Sequence, residues 1–299
     1  MNPEIVVVGS LNNDVVLRVP NLPRAGETVT GATLYYAGGG KGANQALASA
    51  RLGAAVAFVG CVGQDNAGEE QLASLEAAGV DCDRVMRCPE PTGLALILVD
   101  DKGENSIAIA PGANGRLTTE HVELALLNLV KASTIVVGSL EVPLPSIVHA
   151  ALITAMRGAT FVLNPSPGRH LPPDLVRQCA VVVPNEIELL QLGFDSPADL
   201  IADGAGAVVV TRGDRGASVR TSSASWEQPA FPVDAVDTTG AGDAFTAGLA
   251  VGLAGSLGLE GAVRLGAAAG ALATTGVGAR TSYPDRREAD ALMGGAGRP

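Results

Sequence analysis

The residues with the clearest chemical potential lie in one stretch, Asp237-Thr238-Thr239-Gly240-Ala241-Gly242-Asp243-Ala244-Phe245. An extended run from Ala230 to Val236 leads in, and small residues with Phe245, Leu249 and Leu253 on one helical face lead out. This pattern predicts a strand-to-helix turn that ends in a helix N-terminus. Such an end carries unpaired N–H groups and partial positive charge, which suit a phosphate. Gly240 and Gly242 have no Cβ, so an anion can approach the backbone closely. Asp243 would stand in the first turn beside that hole. A carboxylate next to a phosphate is costly unless it has a task, and the task that fits is general base in phosphoryl transfer. Taken alone, the same glycines and acid also make an ordinary helix cap and turn.

A second stretch, Gly38-Gly39-Gly40-Lys41-Gly42-Ala43-Asn44-Gln45, opens a helix that runs through Leu52. It is not a Walker A loop: no glycine stands five residues before Gly40, and Gly42 rather than Ser or Thr follows Lys41. Its glycines would bring backbone N–H groups and Asn44 close to a small polar ligand. A glycine-rich hinge accounts for the same residues when they are taken alone.

The elements that must hold these stretches read as repeated βα units. Ile5 to Val8 is a short apolar run, expected as a buried parallel strand, and it ends in the polar turn Gly9 to Asp14. No GxGxxG follows, which disfavours a dinucleotide-binding oxidoreductase. Val15 to Val19 and Thr28 to Tyr36 are extended runs, as are Leu94 to Asp100 and Asn105 to Ala110, joined by Asp101-Lys102-Gly103-Glu104. Both pairs are assigned to one small β-sheet lid, at about residues 14–37 and 92–110. Ala55 to Cys61, Thr134 to Val137, Thr160 to Leu163, Val181 to Val183 and Ala207 to Val210 are expected core strands. Asn66 to Ala78, Pro145 to Arg157 and Gly261 to Thr275 are expected helices, and Thr246 to Leu259 reads as buried helix. The fold class is therefore α/β with a mostly parallel central sheet covered on both faces, residues 1–299 forming a single domain with a lid. The tail Gly294 to Pro299 is expected to fray.

Composition excludes several classes. Hydrophobic residues make up 47% of 299 residues, enough for a sizeable core, and the net charge of −11 argues against nucleic-acid or anionic-membrane partners. Aromatics are only 3%, so single-strand stacking platforms are not expected. Cys61, Cys82, Cys88 and Cys179 form no CxxC pair and no zinc spacing, and are read as reduced thiols of a cytoplasmic protein. The N-terminus shows no signal-peptide pattern, and the apolar region after Thr246 is too short to span a bilayer. His121, His149 and His170 read as structural or surface residues.

The two glycine-rich stretches together resemble the two signatures of the PfkB family of carbohydrate kinases, and the ribokinase branch more than the family at large. Gly9 to Asp14, Gly26 to Gly31, Gly40 to Ala46, Gly112-Ala113-Asn114 and Pro184-Asn185-Glu186 are similar to ribokinase segments in order and spacing. The similarity runs from about Ile5 to Pro284. It implies a ribokinase-like three-layer sandwich. It implies ATP-dependent phosphorylation of the 5-hydroxyl of D-ribose, Mg²⁺ travelling with the nucleotide. The resemblance assigns Asp243 as base, Gly240, Ala241 and Gly242 as anion hole, and Asn12, Asp14, Gly40, Lys41, Asn44 and Glu141 as sugar contacts. It matches Asn185 and Glu188 to a segment near the phosphates and Mg²⁺, and Thr211, Gly213 and Gly216 to the nucleotide loop. It also implies an activating K⁺, held by Asp237, Thr239, Thr274, Val277 and Ser282, largely through carbonyls. Another sugar or nucleoside kinase of the family, or a non-catalytic binder on the same scaffold, stays open. An exposed lid edge would favour a homodimer.

Overall fold

The computed structural model describes residues 2–295. β1 (Ile5–Val8) is wholly buried, and its successive side chains point to opposite faces. Such a strand belongs in the middle of a covered sheet. The chain continues through β2 (Asn12–Val19), β3 (Thr33–Gly39), α1 (Lys41–Arg51), β4 (Val56–Gly63), α2 (Asn66–Ala77), β5 (Asp81–Cys88), β6 (Gly93–Asp100) and β7 (Asn105–Ala110). The second half adds α3 (Thr119–Leu129), β8 (Ile135–Ser139), α4 (Leu144–Met156), β9 (Thr160–Asn164), α5 (Pro173–Gln178), β10 (Val181–Val182) and α6 (Glu186–Gln191). It ends with α7 (Pro197–Ala202), β11 (Ala207–Thr211), β12 (Ala217–Thr221), β13 (Ser225–Gln228), α8 (Ala241–Ala254), α9 (Gly258–Ala273) and α10 (Arg286–Gly295).

The large sheet has the order β13-β12-β11-β10-β9-β8-β1-β4-β5, parallel from β11 to β5 with antiparallel pairings only at β12 and β13. Ile5 and Val7 pack with residues of α1, α2, α8, α9 and α10 on one face. Val6 and Val8 pack with residues of α3 to α7 on the other. This is the expected three-layer sandwich. A separate four-stranded sheet, β3-β2-β6-β7, contains both expected extended pairs. β2 joins β6 in parallel and β3 antiparallel, which brings Asn12 opposite both Gly39 and Gly93.

Four expectations are corrected. Ala230 to Val236 is not a strand: Pro229 and Pro232 lack the N–H a ladder needs, and irregular chain leads into α8. The strand expected from Thr28 begins at Thr33, after Gly31 at φ 85°. The helix expected from Thr246 to Leu259 breaks between Ala254 and Gly258, where Ser256 takes φ 58°. Gly294 and Gly295 close α10 rather than fraying, and residues 296–299 lie outside the described residues.

α8 and α9 pack almost backbone to backbone. A Cβ on Gly252 would lie 2.5 Å from Ala262 Cα, and one on Gly266 2.7 Å from Phe245 O. Gly252→Val should therefore lower unfolding stability by about 1–3 kcal/mol through overpacking. Gly294→Ala, which meets open space, should leave it unchanged. Urea midpoints of the two variants check this, and equal midpoints would contradict the close packing.

Candidate active site

Gly240 caps the start of α8, and its φ of 77° turns the chain sharply into the helix. Ala241 N–H donates to Thr238 O at 3.2 Å and Ala244 N–H to Gly240 O at 2.9 Å. The N–H groups of Gly242 and Asp243 find no backbone acceptor among the described residues, so these are the donors left open at the helix start. The Asp243 side chain is buried there.

α1 supplies what a buried carboxylate needs. Asn44 Nδ2 donates to Asp243 Oδ2 at 3.0 Å, and Gln45 Nε2 donates to Asp243 Oδ1 at 3.1 Å. Gln45 Nε2 also reaches Asn164 Oδ1 at 3.0 Å, and Asn164 Nδ2 is anchored on Val183 O. Burial raises the Asp243 carboxyl above its ordinary range; the Lys41 charge and the Asn44 hydrogen bond pull it back. Burial lowers the Lys41 ammonium, but Asp243, Glu141 and Glu188 together raise it above its usual value. A cleft of about 230 Å³ opens here, and Lys41, Asn185, Glu188, Thr211, Gly240, Gly242 and Asp243 all line it.

The remaining expected sugar residues adjoin Lys41 and Asp243. Gly40, at φ 87°, would place a Cβ 2.7 Å from Asn12 N, so the absence of one lets α1 start against the β1–β2 turn. Glu141 Oε2 accepts from Ser10 Oγ at 2.5 Å and from Lys41 N–H at 3.0 Å. Asn114 Nδ2 donates to Asn12 Oδ1 at 2.7 Å. Asp14 lies against Gly39, where a Cβ would come within 2.2 Å of its carboxylate. Burial pushes the Asp14 carboxyl up to about 7, with Arg280 opposing and Glu141 and Asp243 assisting.

The expected nucleotide residues meet at the ends of β10 and β11. Asn185 and Glu188 close a capping box: Glu188 N–H donates to Asn185 Oδ1 at 2.7 Å, and Asn185 N–H to Glu188 Oε2 at 2.8 Å. Asn185 also bridges Thr211. Gly213 and Gly216 bound a short turn, with φ of 58° and 81°. Arg212, within that loop, pairs with Glu227 of β13.

The expected cation ligands form a loop pair beside α8. Asp237 Oδ1 accepts from Thr239 N–H at 2.9 Å and Oδ2 from Gly278 N–H at 2.9 Å. Thr274 O accepts from Val236 N–H, and Val277 O from Thr281 Oγ1. Asp237 thus stands among carbonyl and hydroxyl oxygens of the 236–239 and 274–282 segments. Among the described residues no group of three or more His, Cys, Asp or Glu could hold a metal. Glu188, which lines the cleft, is the carboxylate there that could face a divalent ion arriving on a nucleotide.

Sequence reasoning missed Arg280, Asn164 and the role of Gln45. Asn164 had a usable signal, since it ends a core strand at the same sheet edge. A larger cleft of about 440 Å³ lies at α7, β12 and β13. Its carboxylate, Glu227, is already paired with Arg212.

A buried acid at a helix start and a lysine beside it line one cleft, an arrangement that could receive an anionic group. Residues 2–286 match the model of the pfkB family carbohydrate kinases, and the chain belongs to that family. It is 36% identical to a ribokinase of Haemophilus influenzae, with 96% of this chain and 97% of that one covered. It is 35% identical to a deoxyribokinase of Salmonella typhi over 94% and 95% of the two chains. The structure of an Arabidopsis thaliana ribokinase complexed with ribose and ATP superposes with a TM-score of 0.88, at 32% identity, covering 98% and 99%.

The raised Asp14 and Asp243 carboxyls set a stability signature. A folded-state value above the unfolded one means the folded protein binds more protons, so stability falls as pH rises between about 4 and 7. Asp14→Asn removes its share of that fall. The melting temperature should drop less from pH 5 to pH 8 in the variant than in the parent. Parallel curves would contradict the burial argument for Asp14.

Proposed function

We propose that the chain is an ATP-dependent kinase that phosphorylates the 5-hydroxyl of D-ribose, giving ribose 5-phosphate. The observation that carries this is Asp243: a buried carboxylate, held by two amide donors, at a helix start with open N–H groups. In this reading the sugar lies among Asn12, Asp14, Gly40, Lys41, Asn44 and Glu141. Asp14 and Glu141 accept from hydroxyls, Lys41 donates, and Asn12 and Asn44 do both. Glu141 Oε2 is occupied by Ser10 and the Lys41 backbone, which leaves Oε1 for the sugar.

Asp243 takes the hydroxyl proton as the oxygen attacks, and the helix start, with Gly240, Ala241 and Gly242, receives the charge that develops on the transferred group. Lys41 neutralises charge on the same side. Asn185, Thr211, Gly213 and Gly216 orient the ATP phosphates, and Glu188 would help hold the Mg²⁺ that the nucleotide carries. Mg²⁺ would supply neutralisation of phosphate charge. K⁺ held by Asp237, Thr239, Thr274, Val277 and Ser282 would fix the loop that leads into α8. A homodimer through the small sheet belongs to the same reading: Leu34, Tyr36, Leu94 and Leu96 are exposed on one face of it. So does a cytoplasmic location, in keeping with four free cysteines. Among the described residues no helix is long and apolar enough to cross a membrane.

A second reading, a kinase for 2-deoxyribose, draws on the deoxyribokinase similarity. ADP release with Mg-ATP and K⁺ on ribose, 2-deoxyribose, fructose and adenosine decides between them. Ribose should give the highest kcat/KM; a higher value on deoxyribose would transfer the assignment.

Asp243→Asn should lose about 10²–10⁴-fold in kcat while ribose affinity, read by calorimetry, stays close to the parent's. More than a tenth of parental turnover would remove the base. At fixed ionic strength K⁺ should give a higher rate than Na⁺, and Asp237→Ala should abolish the difference. Equal rates in the parent would remove the cation role.

A further inference from the structure

Arg280 is the one buried guanidinium in the described core: it is 8% exposed and sits in a short turn, far in sequence from every partner it holds. Its Nε donates to Asn44 Oδ1 at 2.9 Å, Nη1 to Gln71 Oε1 at 2.8 Å, and Nη2 to Gly39 O at 2.5 Å. The slot for it exists because β3 ends in glycine. A Cβ on Gly38 would lie 2.3 Å from Nη1.

The bond to Asn44 has a consequence for the candidate base. A guanidinium only donates, so the atom facing it must be the amide oxygen. The Nδ2 of the same amide then points at Asp243 Oδ2, 3.0 Å away. If Asn44 were flipped, its oxygen would face a carboxylate oxygen, a contact tolerated only when Asp243 is protonated. We propose that Arg280 is a positioning residue for Asp243: by holding Asn44 Oδ1, it keeps an amide donor on the base and keeps the base ionised. This rests on Asp243 being the base.

Several charged or titratable groups face Asp243. They are Lys41 on α1, Asp14 on β2, Glu141 after β8, and Arg280 and Tyr283 in the C-terminal segment. Arg280 is close enough for its charge alone to favour an ionised Asp243, so the test must separate charge from orientation. Glutamine does so. Its Nε2 stands the same number of bonds from the backbone as the arginine Nε that bonds Asn44, but it carries no charge.

The experiment is kcat against pH for the full chain with saturating ribose and Mg-ATP. It is run on the parent, Arg280→Met, Arg280→Gln, Asn44→Leu and the Arg280→Met/Asn44→Leu double variant. Saturating sugar moves Asp14 titration into KM. Loss of the Asn44 donor should shift the acid limb up by about one pH unit, since a hydrogen bond to the charged form favours it. Arg280→Met should show that shift, Arg280→Gln should stay near the parent, and the double variant should match Asn44→Leu alone. A Gln variant that moves with Met, or shifts that add in the double variant, would overturn the orientation mechanism in favour of charge. An unmoved limb in Met would overturn the role altogether. If Met does not fold, the Gln and Asn44→Leu profiles still decide: a shifted Gln limb, or an unshifted Leu limb, overturns it. Asp243→Asn, assayed alongside, separates the two claims. Turnover retained there removes the base and this inference with it; turnover lost there, with unmoved Arg280 limbs, removes this inference alone.

Discussion

The structure depends on seating a carboxylate, Asp243, at a helix start where little water reaches it. Burying a charge costs several kcal/mol unless hydrogen bonds and opposite charge replace its hydration. Asp243 receives that replacement from Asn44 and Gln45, on one turn of α1, and from the nearby Lys41 charge. α1 can deliver both amides only if it lies close against α8. The interface is accordingly built of small residues, Ala43 and Ala46 on one side and Ala244 and Ala247 on the other, all fully buried. Larger side chains would push the two helices apart and strand the carboxylate.

The same economy of side chains recurs wherever the backbone must come close. The chain holds 38 glycines and few aromatics, and many glycines stand where two backbones or a backbone and a charged group nearly touch. Gly42 against Gly9 joins the start of α1 to the end of β1, with a hypothetical Cβ 2.7 Å from Gly9 Cα. Gly39 makes room for Asp14, and Gly38 for Arg280. Together these contacts draw the first strand, the end of β3, α1 and the C-terminal turn around one pocket. Polar side chains then project into it from elements distant in sequence.

This division explains how much was legible in the sequence. Motifs whose meaning is local were readable: the Gly240-Ala241-Gly242-Asp243 turn, the Gly38 to Gln45 helix start, and buried apolar strands such as Ile5 to Val8. β5 was not: its residues Asp81 to Arg87 mix charge with apolar side chains, because it is an edge strand with a half-wet surface. The run from Ala230 misled because its apolar and β-branched residues outnumber its one proline, Pro232, although that proline and Pro229 just before it decide the hydrogen bonding. Arg280 left no local trace. Its partners lie 209 to 241 residues away, and an arginine after a glycine-rich loop reads as solvated until the fold buries it.

Charge balance in the pocket completes the account. Four carboxylates, Asp14, Glu141, Glu188 and Asp243, face two cations, Lys41 and Arg280. Fully ionised, that set would leave surplus negative charge where an anionic phosphate must arrive. Burial opposes this by raising Asp14 to about 7, so near neutral pH the fold keeps part of a proton there. The chain's net charge of −11 acts against the nucleotide at long range. Salt screens that repulsion beyond about 8 Å under physiological conditions. Inside that distance Lys41 and the open N–H groups of α8 dominate, so an acidic protein can still present an anion site. The requirement is that the carboxylates beside the site be individually held, by amides on Asp243, by Ser10 on Glu141 and by a retained proton on Asp14.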